Sequence, residues 1–261
     1  MMNSIQEKKK AFEKMLKVMD DIRIACPWDK EQTFETLRSM TIEETYELSD
    51  AILNNDTEAI KKELGDLFLH IAFYSKIASE KQQFDIADVL NAIAEKIIYR
   101  HPHVFGDTSV SSSEDVKKNW EELKLKEKGG NKKVLDGIPK SMPSMIKAMR
   151  MQEKARGVGF DWEYKEQVWA KVKEELLEFE EEVENDDKEK MEAEFGDLLF
   201  SLINAARLYG INPDNALEKT NRKFIKRFNY LEENTIGKGL SLKDMTLDQM
   251  ELIWQKAKRD E

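Results

Sequence analysis

The stretch Glu174–Asp197, EELLEFEEEVENDDKEKMEAEFGD, decides the fold. It holds two acidic clusters, Glu174, Glu175 and Glu178 first, then Glu194 and Asp197, with sixteen positions from Glu178 to Glu194. Between them Asn185-Asp186-Asp187 is short, polar and turn-forming. The pattern predicts two helices joined by a tight turn and folded back as a hairpin. Glu175 and Glu178 are spaced i, i+3, as are Glu194 and Asp197, so each pair shares one helical face. Antiparallel packing brings the two pairs together. Four converging carboxylates repel one another unless a cation neutralises them. A site of oxygen ligands alone suits a hard ion, Mg²⁺ or Mn²⁺.

The second helix of the hairpin continues as EFGDLLFSLINAARLYG from Glu194. Phe195, Leu198, Leu199, Leu202, Ile203 and Ala206 cover most of its circumference at about 100° per residue. Glu194, Asp197, Ser201 and Asn204 form one narrow polar stripe. Such a helix is expected to be buried, and acids on a buried helix need a partner or a metal. The first helix, EELLEFEEEVE, taken alone reads better as a solvated charged face.

Outward from this stretch, the chain repeats itself. Shifted by 131 positions, Thr41–Phe73 aligns without a gap, and ten of 33 residues are identical. Glu43, Glu44 and Glu47 fall on Glu174, Glu175 and Glu178, while Glu63 and Asp66 fall on Glu194 and Asp197. Gly65 meets Gly196. Solvated acidic surface has no reason to keep such spacing, so the repeat favours a functional reading of the acids. After a small shift, Lys96 and Arg100 match Lys223 and Arg227, again i, i+4 on one helix. Each repeat ends on a Trp with Lys four positions later, Trp120 with Lys124 and Trp254 with Lys258. A helix precedes each unit, near Ile5–Arg23 and Met145–Ala155, leading into CPWD (Cys26–Asp29) and GFDW (Gly159–Trp162). The expected architecture is all-α: two tandem helical bundle domains at 1–128 and 144–261, joined by a linker at 129–143, where Gly129-Gly130-Asn131, Gly137, Pro139 and Pro143 interrupt periodicity. Ser113 is a candidate N-cap for the helix carrying Trp120. No stretch alternates as a strand would.

Composition agrees. Of 261 residues 40% are hydrophobic and 36% charged, enough for a core beneath a charged surface. Only 5 Pro and 11 Gly favour helices over turns. The formal net charge of −10 argues against a general nucleic-acid or anionic-membrane surface. It leaves room for a small phosphate ligand held by a metal and local cations. Cys26 is the sole cysteine, which fits a reducing compartment. The run MMNSIQEKKKAFEK has no apolar core of a signal peptide, and no apolar run approaches the ~18 residues of a membrane helix. A cytoplasmic protein is expected.

The basic pair Lys223 and Arg227 suits phosphate oxygens, Asn221 could reach a phosphate or sugar, and Trp254 offers a flat face to a nucleobase. Joined to the acids, they suggest metal-assisted hydrolysis of a polyphosphate carrying a base, with one carboxylate free to act as general base.

EExxE followed by ExxD, in two copies, resembles the MazG family of nucleoside triphosphate pyrophosphohydrolases. CPWDKEQTFETLR, RHPHVF (Arg100–Phe105) and NRKFIKRF (Asn221–Phe228) are also similar to it. The resemblance covers nearly the whole chain. It implies MazG-type helical bundles, a homodimer, and cleavage of (d)NTPs between the α and β phosphates to a nucleoside monophosphate and pyrophosphate. It places metal ligands on Glu175, Glu178, Glu194 and Asp197, catalytic carboxylates at Glu174 and Glu175, and nucleotide contacts on Lys171, Asn221, Lys223, Arg227 and Trp254. The first repeat keeps Glu44, Glu47, Glu63 and Asp66 as a second metal set. It departs at Glu95 beside Lys96 and at His70, which stands where the second repeat has Ser201. The second repeat is therefore expected to be the catalytic one, the first serving dimerisation or regulation.

Narrower activities on dUTP or phosphoribosyl-ATP use similar acidic hairpins. A di-iron carboxylate bundle needs Glu-x-x-His, and none of His70, His101 and His103 has Glu three positions earlier. A helical interaction module without activity is the remaining alternative.

Overall fold

Two turns, 131 residues apart, are built alike. Asn54 closes one helix, Asn55 takes a left-handed φ of 54°, and Asp56 caps the next helix by accepting from the Ala59 N–H at 3.0 Å. Asn185, Asp186 and Asp187 repeat this: Asp186 also has φ 54°, and Asp187 accepts from the Lys190 N–H at 3.3 Å. Asn and Asp tolerate the left-handed region, and a short side-chain oxygen satisfies the exposed N–H groups of a helix start. The two hairpins of the sequence reading are present with the expected turns.

The computed structural model describes residues 2–126 and 133–259. Among them are twelve α-helices and no strand. The chain packs as two units, Met1–Ser109 and Val110–Glu261.

The first unit holds α1 (Ile5–Ala25), α2 (Pro27–Glu31), α3 (Phe34–Leu53), α4 (Thr57–Glu80), α5 (Ile86–Arg100) and α6 (Pro102–Phe105). Helices α3 and α4 form the hairpin, and α1 lies against α4. Their core is Met19, Leu37, Ala72, Phe73 and Ile77, flanked by Met15, Phe34, Leu69 and Tyr74. Ser4 and Glu7 form a capping box at the start of α1.

The second unit holds α7 (Ser113–Lys126), α8 (Ser144–Gly157), α9 (Val168–Glu184), α10 (Lys188–Leu208), α11 (Pro213–Asn234) and α12 (Leu247–Arg259). Helices α9 and α10 pair along their length, α8 packs on α10, and α12 packs on α11. Val168, Val172 and Ala205 form the buried centre, with Leu198 and Leu208 against it. Each valine contributes about 1.5–3 kcal/mol by leaving water.

Several details depart from the sequence reading. Helix α7 packs on α8 and groups with the second unit, although the repeat pattern assigns it to 1–128. Its cap is Ser112, whose hydroxyl accepts from the Asp115 N–H at 3.1 Å, one residue before the expected Ser113. The linker glycines Gly129 and Gly130 and Asn131 lie outside the described residues. The rest of that segment is not a free tether: the buried Lys154 donates through Nζ to the carbonyls of Val134 and Asp136, at 2.8 and 3.2 Å. Helix α10 is not buried all round, for Phe195, Leu199 and Leu202 remain 40–48% exposed. One chain supplies neighbours for only part of its apolar circumference.

Candidate active site

The hairpin brings its acids together by counting from the turn. Glu175 and Asp197 each lie eleven positions from Asp186, and Glu178 and Glu194 each lie eight. In an antiparallel pair, residues equidistant from the turn face one another. Carboxylate oxygens of Glu175, Glu194 and Asp197 lie within 4.8 Å of one another. Glu178 is exposed and stands outside this group of three. Its charge nevertheless acts on the cluster: burial, then Glu178, Asp197 and Glu175, push the Glu194 carboxyl above the usual range. Glu175 is buried at 5% exposure. Oxygen ligands crowded in this way fit a hard divalent cation.

Lys171, one turn before Glu175 on α9, donates to Glu174 at 2.8 Å and pairs with Glu175 at 2.6 Å. Hydrogen bonds to Glu174 and Glu175 hold its ammonium above the ordinary lysine range. Glu174 is exposed, so one carboxylate stands beside the cluster without belonging to it.

Beside the acids lies a cavity of about 580 Å³. Glu175, Asp197 and Lys171 are among its polar lining, and Met151, Phe160, Trp162 and Phe200 among its apolar lining. Gln152, Ser201, Asn204 and Arg207 also line it. The sequence shows Ser201 and Asn204 only as part of a polar stripe, and gives no sign of Gln152 or of the Asp161–Arg207 pair. A lone Gln on a charged helix carries no motif, and Asp161 and Arg207 are 46 positions apart. The one available signal was the repeat itself, where Asn204 falls opposite Phe73.

The remaining expected nucleotide contacts gather elsewhere. Arg227 lies over the Trp254 ring at 6.0 Å, and Phe224 meets the same ring at 5.2 Å. Asn221 donates to Glu218 at 3.3 Å, and Lys223 is exposed on α11. Of the four, Arg227 and Trp254 meet, Asn221 and Lys223 lie elsewhere along α11, and none lines the cavity.

The first unit repeats the acidic cluster. Oxygens of Glu44, Glu63 and Asp66 lie within 4.8 Å of one another, with Glu47 exposed nearby. Burial, then Glu47, Asp66 and Glu63, raise the Glu44 carboxyl. Glu63 Oε2 is buried with no hydrogen-bond partner, as an oxygen awaiting a cation would be. The neighbourhood differs. Phe73, at 3% exposure, occupies the position of Asn204. Buried His70 replaces Ser201, and its Nδ1 meets Thr41 Oγ1 at 2.8 Å, while Tyr74 Oη meets the same hydroxyl at 2.7 Å. Burial holds the His70 imidazole below its usual pKa, which favours the neutral ring.

Two helical hairpins, each bringing three carboxylates within 4.8 Å of one another, define a tandem acidic-hairpin protein of the all-α class. The MazG nucleotide pyrophosphohydrolase domain model matches the chain twice, at residues 32–105 and 164–231, and each match contains one cradle. The chain belongs to this family. It is 41% identical over 257 residues to the nucleoside triphosphate pyrophosphohydrolase of Escherichia coli (strain K12), covering 96% of this chain and 98% of that protein. It is 42% identical over 250 residues to the nucleoside triphosphate pyrophosphohydrolase/pyrophosphatase MazG of Thermotoga maritima, covering 95% of each. The nucleoside triphosphate pyrophosphohydrolase of Mycobacterium tuberculosis is 37% identical over 144 residues, 54% of this chain.

Proposed function

We propose that the chain is a Mg²⁺-dependent nucleoside triphosphate pyrophosphohydrolase, releasing a nucleoside monophosphate and pyrophosphate from (d)NTPs, and that the second unit carries the activity. One observation carries the reading: Glu175, Glu194 and Asp197 converge beside a cavity of nucleoside size, in a chain that matches proteins of that name over nearly its full length.

Glu175, Glu194 and Asp197, with Glu178 adjacent, would hold the ion. Bound there, Mg²⁺ or Mn²⁺ would neutralise phosphate oxygens and lower the pKa of a coordinated water. Glu174, exposed and outside the cluster, is suited to take the proton from water as it adds to the α-phosphorus. The bond to the bridging oxygen then breaks, and pyrophosphate leaves with that electron pair. Lys171 can turn from Glu174 towards phosphate oxygens as a point charge. Lys223 and Arg227 supply further positive charge for the polyphosphate, Asn221 a polar contact beside them, and Trp254 an aromatic face. The first unit's Glu44, Glu47, Glu63 and Asp66 form a second cation site.

The exposed apolar row Phe195, Leu199 and Leu202 on α10 supports a homodimer in which this face is covered. A cytoplasmic enzyme is consistent with the absence, among the described residues, of any helix long and apolar enough to cross a membrane.

The test is incubation with each of the eight common (d)NTPs and Mg²⁺, with products identified. Monophosphate and pyrophosphate are expected from several of them. Orthophosphate as sole inorganic product, or turnover confined to dUTP, overturns the reading.

A further inference from the structure

Each acidic hairpin pairs with a lysine, but the two units place that lysine on opposite arms. In the second unit it is Lys171 on α9, and the matching position 131 residues earlier is Met40, packed against the core of the first unit. In the first unit it is Lys62 on α4, and the matching position on α10 is the exposed Ala193. The repeat keeps the acids in register and exchanges the cations.

The two lysines meet different oxygens. Lys62 Nζ stands 2.9 Å from Glu63 Oε1, 3.7 Å from Asp66 Oδ2 and 3.9 Å from Glu47 Oε2. It therefore bridges both arms of its hairpin and pairs with two of the three converging carboxylates, Glu63 and Asp66. Lys171 pairs with one of its three, Glu175, and otherwise with Glu174 outside the cluster. Among the described residues no lysine or arginine pairs with Glu194 or Asp197.

An ammonium and a divalent cation cannot share the same carboxylate oxygens without repelling one another. A metal entering the first cradle has to displace Lys62 from Glu63 and Asp66. The Lys62 side chain is 66% exposed, so its pairs face solvent and the stem is free to swing out. That makes it a reversible competitor. Ala193 offers no such competitor to Glu194 and Asp197.

We propose that Lys62 is a tethered counter-ion of the first cradle, competing there with the divalent cation, and that the exchange to Ala193 relieves the second cradle of this competition. The inference rests on the reading of both acidic hairpins as cation sites.

The experiment titrates the full chain with Mn²⁺ and reads the free ion by electron paramagnetic resonance. Glu175→Ala removes a ligand of the second cradle, so that uptake reports the first. On that background Lys62→Met, which keeps the stem and removes the charge, should tighten Mn²⁺ binding by about threefold to tenfold, the scale of one or two exposed ion pairs. Lys62→Arg should stay within about twofold of the parent, because the charge is kept. Adding Glu44→Ala should abolish the gain. In the otherwise unaltered chain Ala193→Lys, at an exposed position that needs no repacking, should weaken uptake at the second cradle by a similar factor.

An affinity unmoved by Lys62→Met overturns the proposal, as does equal tightening by Lys62→Arg or a gain that survives Glu44→Ala. Should Lys62→Met lose its helical circular dichroism, Ala193→Lys decides alone, and unaltered Mn²⁺ binding in that variant overturns the proposal. Wild-type protein that takes up no Mn²⁺ at all is a different result, and overturns the metal reading together with the competition. Tightening by Lys62→Met with weakening by Ala193→Lys supports the assignment.

Discussion

Arg207 grips Asp161 with both terminal nitrogens, Nη1 at 3.1 Å and Nη2 closer still. The two residues come from elements far apart in sequence, α10 and the loop after α8. Their side chains are only 12% and 20% exposed. Arg156 adds a second cation 3.5 Å from the same carboxylate. The pair holds the segment carrying Phe160 and Trp162 against the cavity.

Asp161→Asn should therefore loosen a wall of the pocket and flatten the fall of stability in acid. Burial alone would raise the Asp161 carboxyl, but hydrogen bonds from Arg207 and from the Trp162 N–H prevail and hold it below the usual carboxylate range. A depressed folded pKa gives stability that is present above the unfolded value and lost as pH falls through the folded one. The wild type should lose stability on acidification from about pH 4 downward, and the variant should lose less over that window because it has less to lose. Near neutrality the variant should be less stable by about 1–2 kcal/mol in urea unfolding, with nucleotide KM raised several-fold.

Glu175→Ala should abolish metal-dependent turnover, by at least a hundredfold, while the helical circular dichroism persists. Mg²⁺ should raise the thermal midpoint of the wild type, since an ion bound only by the folded state stabilises by about 1.4 kcal/mol at ten times its Kd. In the variant that rise should be absent from the second unit. An unchanged pyrophosphate yield would remove the cradle from the mechanism.

Glu44→Ala, at the matching position of the first unit, should cost less than about threefold in turnover, well under the cost at Glu175. The first cradle lies beside Phe73, His70 and Tyr74, where the second has Asn204, Ser201 and Ala205. Equal losses in the two variants would mean that both units turn over substrate.

Leu199→Lys should dissociate a dimer built on the outer face of α10, where Phe195, Leu199 and Leu202 follow one another at i, i+4, i+7. Sedimentation velocity reads this directly. A wild-type protein that sediments as a monomer, or a variant that remains dimeric, would move the interface elsewhere.

The hairpins, their turns and the acidic clusters were legible because helical spacing and an internal repeat are properties of short windows. Glu175, Glu194 and Asp197 meet as their spacing requires. The burial of α10 was not legible: the row through Leu199 is apolar, and sequence alone does not distinguish a face buried within the chain from one awaiting a partner. Nor was the cavity. Gln152, Asp161, Asn204 and Arg207 come from three separate segments, and only packing reveals that one amide oxygen among them is left without a donor. Nor does any short window show that Trp254 meets Phe224 and Arg227, which pairs α12 with α11.

The left-handed residue at the tip of each hairpin acts as the zero mark of a ruler. From Asn55 as from Asp186, the acid pairs stand at the same two distances up and down the two arms, eight and eleven. Changing what the tip is made of leaves the scale intact. Adding one residue within either helix, between the tip and its acids, rotates everything beyond by about 100°, carrying one pair of carboxylates off the other. The count of helical residues between tip and acids, rather than the chemistry of the tip, is what keeps either cradle closed.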